Sequence, residues 1–174
     1  MKDKLDKLGL FGGSFDPIHQ GHIKLAQKAL ELFDLDRIDF IPAKQSPHKD
    51  HAPSLDKDTR IQKIKEAIKD FDQFALNTME LEQDHISYSI DTAKKYKKQY
   101  PETNLYFLMG CDNWFKIETW NSINELAQIV TFIVFNRDQK LHEKDNKGMQ
   151  VYFVDDFDEK ISSSELRNNT FGGV

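Results

Sequence analysis

The sequence predicts an α/β protein, a doubly wound and mostly parallel sheet with helices on both faces. Five apolar runs of strand length, Leu8–Phe11, Ile38–Ile41, Phe74–Leu81, Leu105–Met109 and Ile129–Phe135, alternate with segments of helical periodicity. That alternation requires crossover connections, which set consecutive strands parallel and send helices to cover the sheet. Ligands of such sheets sit beyond the carboxyl ends of the strands, so the informative residues are those that follow strands.

The first strand leads into a helix whose Ile23, Ala26, Leu30 and Phe33 share one stripe. After the second, Ile61, Ile64, Ile68 and Phe71 repeat the pattern, with lysines and glutamates opposite. Residues 43–58, between the second strand and that helix, hold two prolines, two histidines and many charges, the composition of a long loop. A third helix runs through Tyr96 with Ser87 or Ser89 as its cap, and a fourth carries Ile123, Leu126 and Ala127 behind Asn121 or Ser122. Residues 136–148 read as a solvated connection.

Composition fits one globular domain, residues 1–174, with 39% hydrophobic and 30% charged residues and thirteen phenylalanines for a core. The formal charge of −5 leaves no basic field for nucleic acid or an anionic membrane, so any anion site must be local. A single cysteine, Cys111, excludes an internal disulfide and is expected to be a small packed residue. With no long apolar segment or export leader, a cytoplasmic location is expected.

Gly12 and Gly13 end the first strand and Ser14 opens the turn after it. Glycines permit unusual dihedrals and close backbone approach, and a helix start beyond them attracts an anion. The spacing matches neither G-x-G-x-x-G nor a Walker sequence, so a plain turn is the alternative. His19 and His22, three residues apart with Gly21 between, can point the same way. One reading has them donating to phosphate oxygens and, when protonated, offsetting charge on a leaving group; the other has one capping and one packed histidine. Zinc fits less well, since only Asp16 is near as a third ligand.

Ser162, Ser163 and Ser164 ahead of Arg167 make either a second anion cradle or an ordinary helix cap. Lys44, His48 and Lys49 place positive charge on the long loop, for phosphate or merely for solvent. Asp112, past the fourth strand, suits ribose hydroxyls, a metal or a cap, and Trp120 suits a flat ring or the core.

These segments resemble the nucleotidylyltransferase superfamily, whose fold is Rossmann-like. "GGSFDPIHQGH" is similar to its GxFDxxHxGH signature and "ISSSELR" to its ISSTxIR signature. Within it the chain most resembles the bacterial nicotinate-nucleotide adenylyltransferase family, through "SPHK" (46–49), "SYSIDT" (87–92), "GCD" (110–112), "TW" (119–120) and Arg137 in that family's order. The resemblance implies adenylyl transfer from ATP to nicotinate mononucleotide in NAD biosynthesis, giving nicotinate adenine dinucleotide and pyrophosphate, with magnesium accompanying ATP.

It implies His19, His22 and Arg167 as catalytic residues. ATP would also meet Gly12, Gly13, Ser14, Phe15, Asp112, Ile161, Ser162 and Ser163. Nicotinate mononucleotide would meet Ser14, Lys44, His48, Lys49, Tyr88, Ser89 and Trp120, with the indole on the pyridine ring and backbone donors around Tyr88 and Ser89 on the carboxylate. Ser89 and Ser164 replace the family's threonines and Asp138 replaces a proline. The short run "NNTFGGV" after the second signature implies that closing or oligomer contacts differ. Pantetheine-phosphate adenylyltransferases and cytidylyltransferases share the first signature without "SYSIDT" and "TW", and a nonenzymatic nucleotide-binding regulator on the same fold would have no need of both histidines and Arg167.

Overall fold

Strand β1 (Lys7–Gly13) occupies the middle of the sheet because its residues are apolar toward both faces. In the computed structural model, which describes residues 4–47, 50–136 and 146–155, Leu8 and Leu10 pack with Leu105, Phe107, Phe132 and Val134 on one side. Phe11 packs with Phe40, Leu108 and Ile133 on the other. Gly9 lies under side chains from the flanking strands: a Cβ there would stand 2.9 Å from Ile38 Cγ1 and 3.3 Å from Leu108 Cδ1, so a larger residue would force those side chains apart.

The remaining elements follow in order: α1 (Gln20–Phe33), β2 (Arg37–Pro42), α2 (Lys57–Ile68), β3 (Phe74–Leu76), α3 (Ser89–Gln99), β4 (Asn104–Gly110), α4 (Cys111–Phe115), a 3-10 turn (Ile117–Thr119), α5 (Ile123–Ile129), β5 (Val130–Phe135) and β6 (Val151–Val154). The six strands pair in parallel in the order β3-β2-β1-β4-β5-β6, the doubly wound arrangement expected. α1 lays Ile23, Ala26 and Ala29 on the sheet, and α2 lays Ile64 and Ile68 on the same face. α3 brings Ile90, Ala93 and Tyr96 to the opposite face.

Several expectations need correction. The third strand stops at Leu76, because Asn77 Oδ1 accepts Met79 N–H at 3.0 Å and Leu81 N–H closes a turn onto Thr78 O at 2.9 Å. β6, α4 and the 3-10 turn are additional elements. Neither serine caps α3: Tyr88 takes that place and Ser89 is the first helical residue. Ser122 does occupy the N-cap of α5, but with left-handed backbone (φ 52°) and no side-chain capping bond. Cys111 is buried as expected. Among the described residues no helix is long and apolar enough to cross a membrane.

Candidate active site

Strand order reverses between β1 and β4, so the connections leaving their carboxyl ends diverge and open a crevice. A cavity of about 280 Å³ lies there. It brings together Gly12, Gly13, Ser14, Phe15 and His22 from the first turn and helix, Tyr88 and Ser89 from the start of α3, and Asp112 and Trp120 from beyond β4. Asp112 is exposed in the first turn of α4, and Trp120 packs edge-on against Phe107 with ring centroids 5.7 Å apart.

The glycines do not serve the backbone as expected. Neither Gly12 nor Gly13 is left-handed, and an added Cβ would meet only ordinary contacts, Phe107 at 3.7 Å and Phe15 at 3.6 Å. Their small size leaves room in the cleft instead. The left-handed residue of this turn is Phe15, at φ 44°, a conformation that strains a bulky side chain by about 1–3 kcal/mol. Burial among Phe11, Phe40 and His22 holds it there.

His19 and His22 form a reciprocal cap on α1. His19 Nδ1 accepts Gly21 N–H at 3.0 Å, while His22 Nδ1 accepts His19 N–H at 3.0 Å. Their rings lie 3.8 Å apart, and His22 also packs against Phe15. Both readings of the pair are therefore compatible in one geometry. Nδ1 of each ring is thus engaged with the backbone at the helix start, so contact with a phosphate would fall to Nε2.

Two buried residues absent from the expected set hold this turn against the loop after β2. Arg60, 3% exposed on α2, donates Nη1–H to Ser14 O at 2.9 Å and to Ala43 O at 2.7 Å, tying the exits of β1 and β2. Burial lowers the guanidinium's pKa, and the charges of Asp16 and Asp56 oppose that shift. Asp16 accepts Ser54 N–H at 2.7 Å and Leu55 N–H at 2.8 Å, which orients its carboxylate toward the backbone of the long loop. The signal for Arg60 was its phase, one turn before Ile64 on the buried stripe. Among the described residues no three His, Cys, Asp or Glu side chains gather to hold a metal.

Glu80 was also missed. It sits in the turn after β3, lines the cavity and is 7% exposed, with its Oε1 accepting Thr92 Oγ1–H at 2.6 Å. Burial raises its pKa above the ordinary carboxylate value, and the Thr92 hydrogen bond opposes the rise. Lys44 is exposed and is not part of the cavity wall; it donates Nζ–H to Gln83 O at 2.6 Å. His48, Lys49, Arg137, Ile161, Ser162, Ser163, Ser164 and Arg167 lie outside the described residues.

Residues 10–169 match the cytidylyltransferase-like family model. A Clostridium novyi protein described as "Probable nicotinate-nucleotide adenylyltransferase" is 33% identical over 94% of this chain and 86% of its own length. A Shouchella clausii protein with the same description is 36% identical over 97% and 86%. Among solved structures, the Plasmodium falciparum nicotinic acid mononucleotide adenylyltransferase complexed with NaAD superposes with a TM-score of 0.76 at 22% identity, over 94% of this chain and 83% of that one. The chain belongs to the cytidylyltransferase-like family and, within it, to the nicotinate-nucleotide adenylyltransferases.

Proposed function

We propose that the protein transfers the adenylyl group of ATP to nicotinate mononucleotide, forming nicotinate adenine dinucleotide and releasing pyrophosphate. The observation that carries this reading is a single cleft in which the Gly12–Gly13 turn and His22 on α1 face the start of α3 and Trp120. It agrees with the names of relatives that align with nearly the whole chain.

The chemistry needs little beyond placement. The phosphate of the mononucleotide is already an oxyanion at neutral pH, and it attacks the α-phosphorus of ATP in line as the bond to pyrophosphate breaks. No general base or covalent intermediate is required. What the protein must do is hold two polyanions together and stabilise charge on the departing pyrophosphate. In this reading Gly12, Gly13, Ser14 and Phe15 shape the ATP subsite, and Nε2–H of His19 and His22 donate to its phosphate chain. Asp112 accepts from a ribose, Trp120 stacks on the pyridine ring, and the first N–H groups of α3 at Ser89 receive the carboxylate.

By resemblance Arg167, Ser162 and Ser163, with His48 and Lys49, complete the phosphate contacts, and Ile161 meets ATP. Magnesium enters with ATP on the phosphates, where it would neutralise charge when bound. The test is pyrophosphate release with ATP and nicotinate mononucleotide, with the dinucleotide identified by mass. ATP binding without turnover would sink the enzymatic reading and favour a nucleotide-binding regulator.

A further inference from the structure

The carboxyl of Glu80 has no place in the phosphate chemistry, yet it is buried and lines the cleft alongside Tyr88, Ser89 and Trp120. We propose that Glu80 is a specificity-determining residue: its charge state sets how strongly the cleft prefers a pyridine carboxylate over the corresponding carboxamide. This inference rests on the substrate assignment above.

Geometry and charge carry it. Glu80 shares the cavity wall with the start of α3, where the substrate's carboxylate is assigned, so an ionised Glu80 would place a second negative charge in the same enclosure. A neutral Glu80 removes that repulsion, whereas a carboxamide is indifferent to it. The groups around Glu80 do not neutralise it. From α3 it receives one hydrogen bond, from Thr92, and the field of Lys95. The preceding loop supplies buried Ser87, which like Thr92 favours the ionised form, and Asp16, Asp112 and His22 line the cavity with it. Among the described residues no arginine fork closes on Glu80 as one does on Asp39. Burial favours the neutral form further.

The experiment measures dissociation constants of nicotinate mononucleotide and nicotinamide mononucleotide by tryptophan fluorescence across the pH range in which the enzyme is folded, with turnover followed in parallel. The second ionisation of the phosphate, near pH ~6, is common to both ligands and cancels in their ratio. Preference for the acid is expected to fall by about tenfold as Glu80 ionises, the size of one unit-charge repulsion across a pocket at an effective dielectric of about 20. Glu80→Gln keeps an acceptor for Thr92 and should hold the preference flat, at or above the wild-type low-pH value. Thr92→Val removes the donor that favours the ionised form, so it should move the transition to higher pH. The same ratio and slope in wild type and Glu80→Gln, or no displacement in Thr92→Val, would overturn the inference and leave adenylyl transfer standing. Binding without turnover would defeat the functional reading alone, and failure of nicotinate mononucleotide to bind would defeat both.

Discussion

Asp39 and Glu80 are both carboxyl groups buried within a few per cent of completely, and their surroundings differ. Asp39, on β2, accepts Arg37 Nε–H at 2.6 Å, Nη2–H at 3.1 Å and the Tyr96 hydroxyl at 2.8 Å; that hydroxyl in turn accepts Asn77 Nδ2–H at 2.8 Å. Burial and the Asp39 charge raise the Tyr96 pKa, which keeps the hydroxyl a donor. Glu80 has one short hydrogen bond and an open cavity beside it. A fully paired buried charge fixes one packing, here β2 against α3 and the segment after β3. A thinly paired one facing a cleft stays responsive to whatever enters.

The largest expected effect tests the structural half of that contrast. Asp39→Ala leaves the Tyr96 hydroxyl and the Arg37 fork without their acceptor, and should cost about 3 kcal/mol of stability in denaturant unfolding. kcat/KM per folded molecule should be unchanged. A fall in turnover matching the loss of stability would erase the distinction between the two regions.

His22→Ala tests the other half. If Nε2–H meets developing charge on pyrophosphate, kcat should drop by about a hundredfold, some 2–3 kcal/mol of transition-state stabilisation, with a smaller change in KM. Stability should fall by only about 1 kcal/mol, the scale of a lost capping bond. An unchanged rate would remove His22 from the chemistry.

Much of the sheet was legible because β1, β2, β4 and β5 are buried on both faces, and such strands read as unbroken apolar runs. The edges were harder. β3 leaves its apolar run when Asn77 begins a turn, and β6 is four residues long with one exposed tyrosine. The turn and histidines at the switch point were visible as a motif, whereas Arg60 and Glu80 were single polar residues inside apolar patterns. Their roles depend on what the fold brings near them: carbonyls 46 and 17 positions away for Arg60, and a hydroxyl 12 positions away for Glu80.

Arg60 lies between the two regions, buried like a structural group but attached to the turn that shapes the cleft. Arg60→Lys keeps the charge but, with a shorter side chain, withdraws the terminal nitrogen that donates to Ser14 O and Ala43 O together. Stability should fall by about 1–2 kcal/mol and KM should rise more than kcat falls, since the turn loses its position and not its donors. A loss of stability with both kinetic constants intact would assign Arg60 wholly to the fold.

His19 offers the finest division, because capping and chemistry meet in one side chain. Asparagine is a strong N-cap residue, so His19→Asn should retain the bond from Gly21 N–H and stay within a few tenths of a kcal/mol of wild type, whereas His19→Ala should lose about 1 kcal/mol. Neither variant has an imidazole Nε2–H. If that donor meets the triphosphate, both should lose turnover equally although only one loses stability. If turnover instead follows stability, with His19→Asn nearly as active as wild type, His19 serves the cleft by holding the start of α1, and His22 alone of the pair supplies a donor to phosphate.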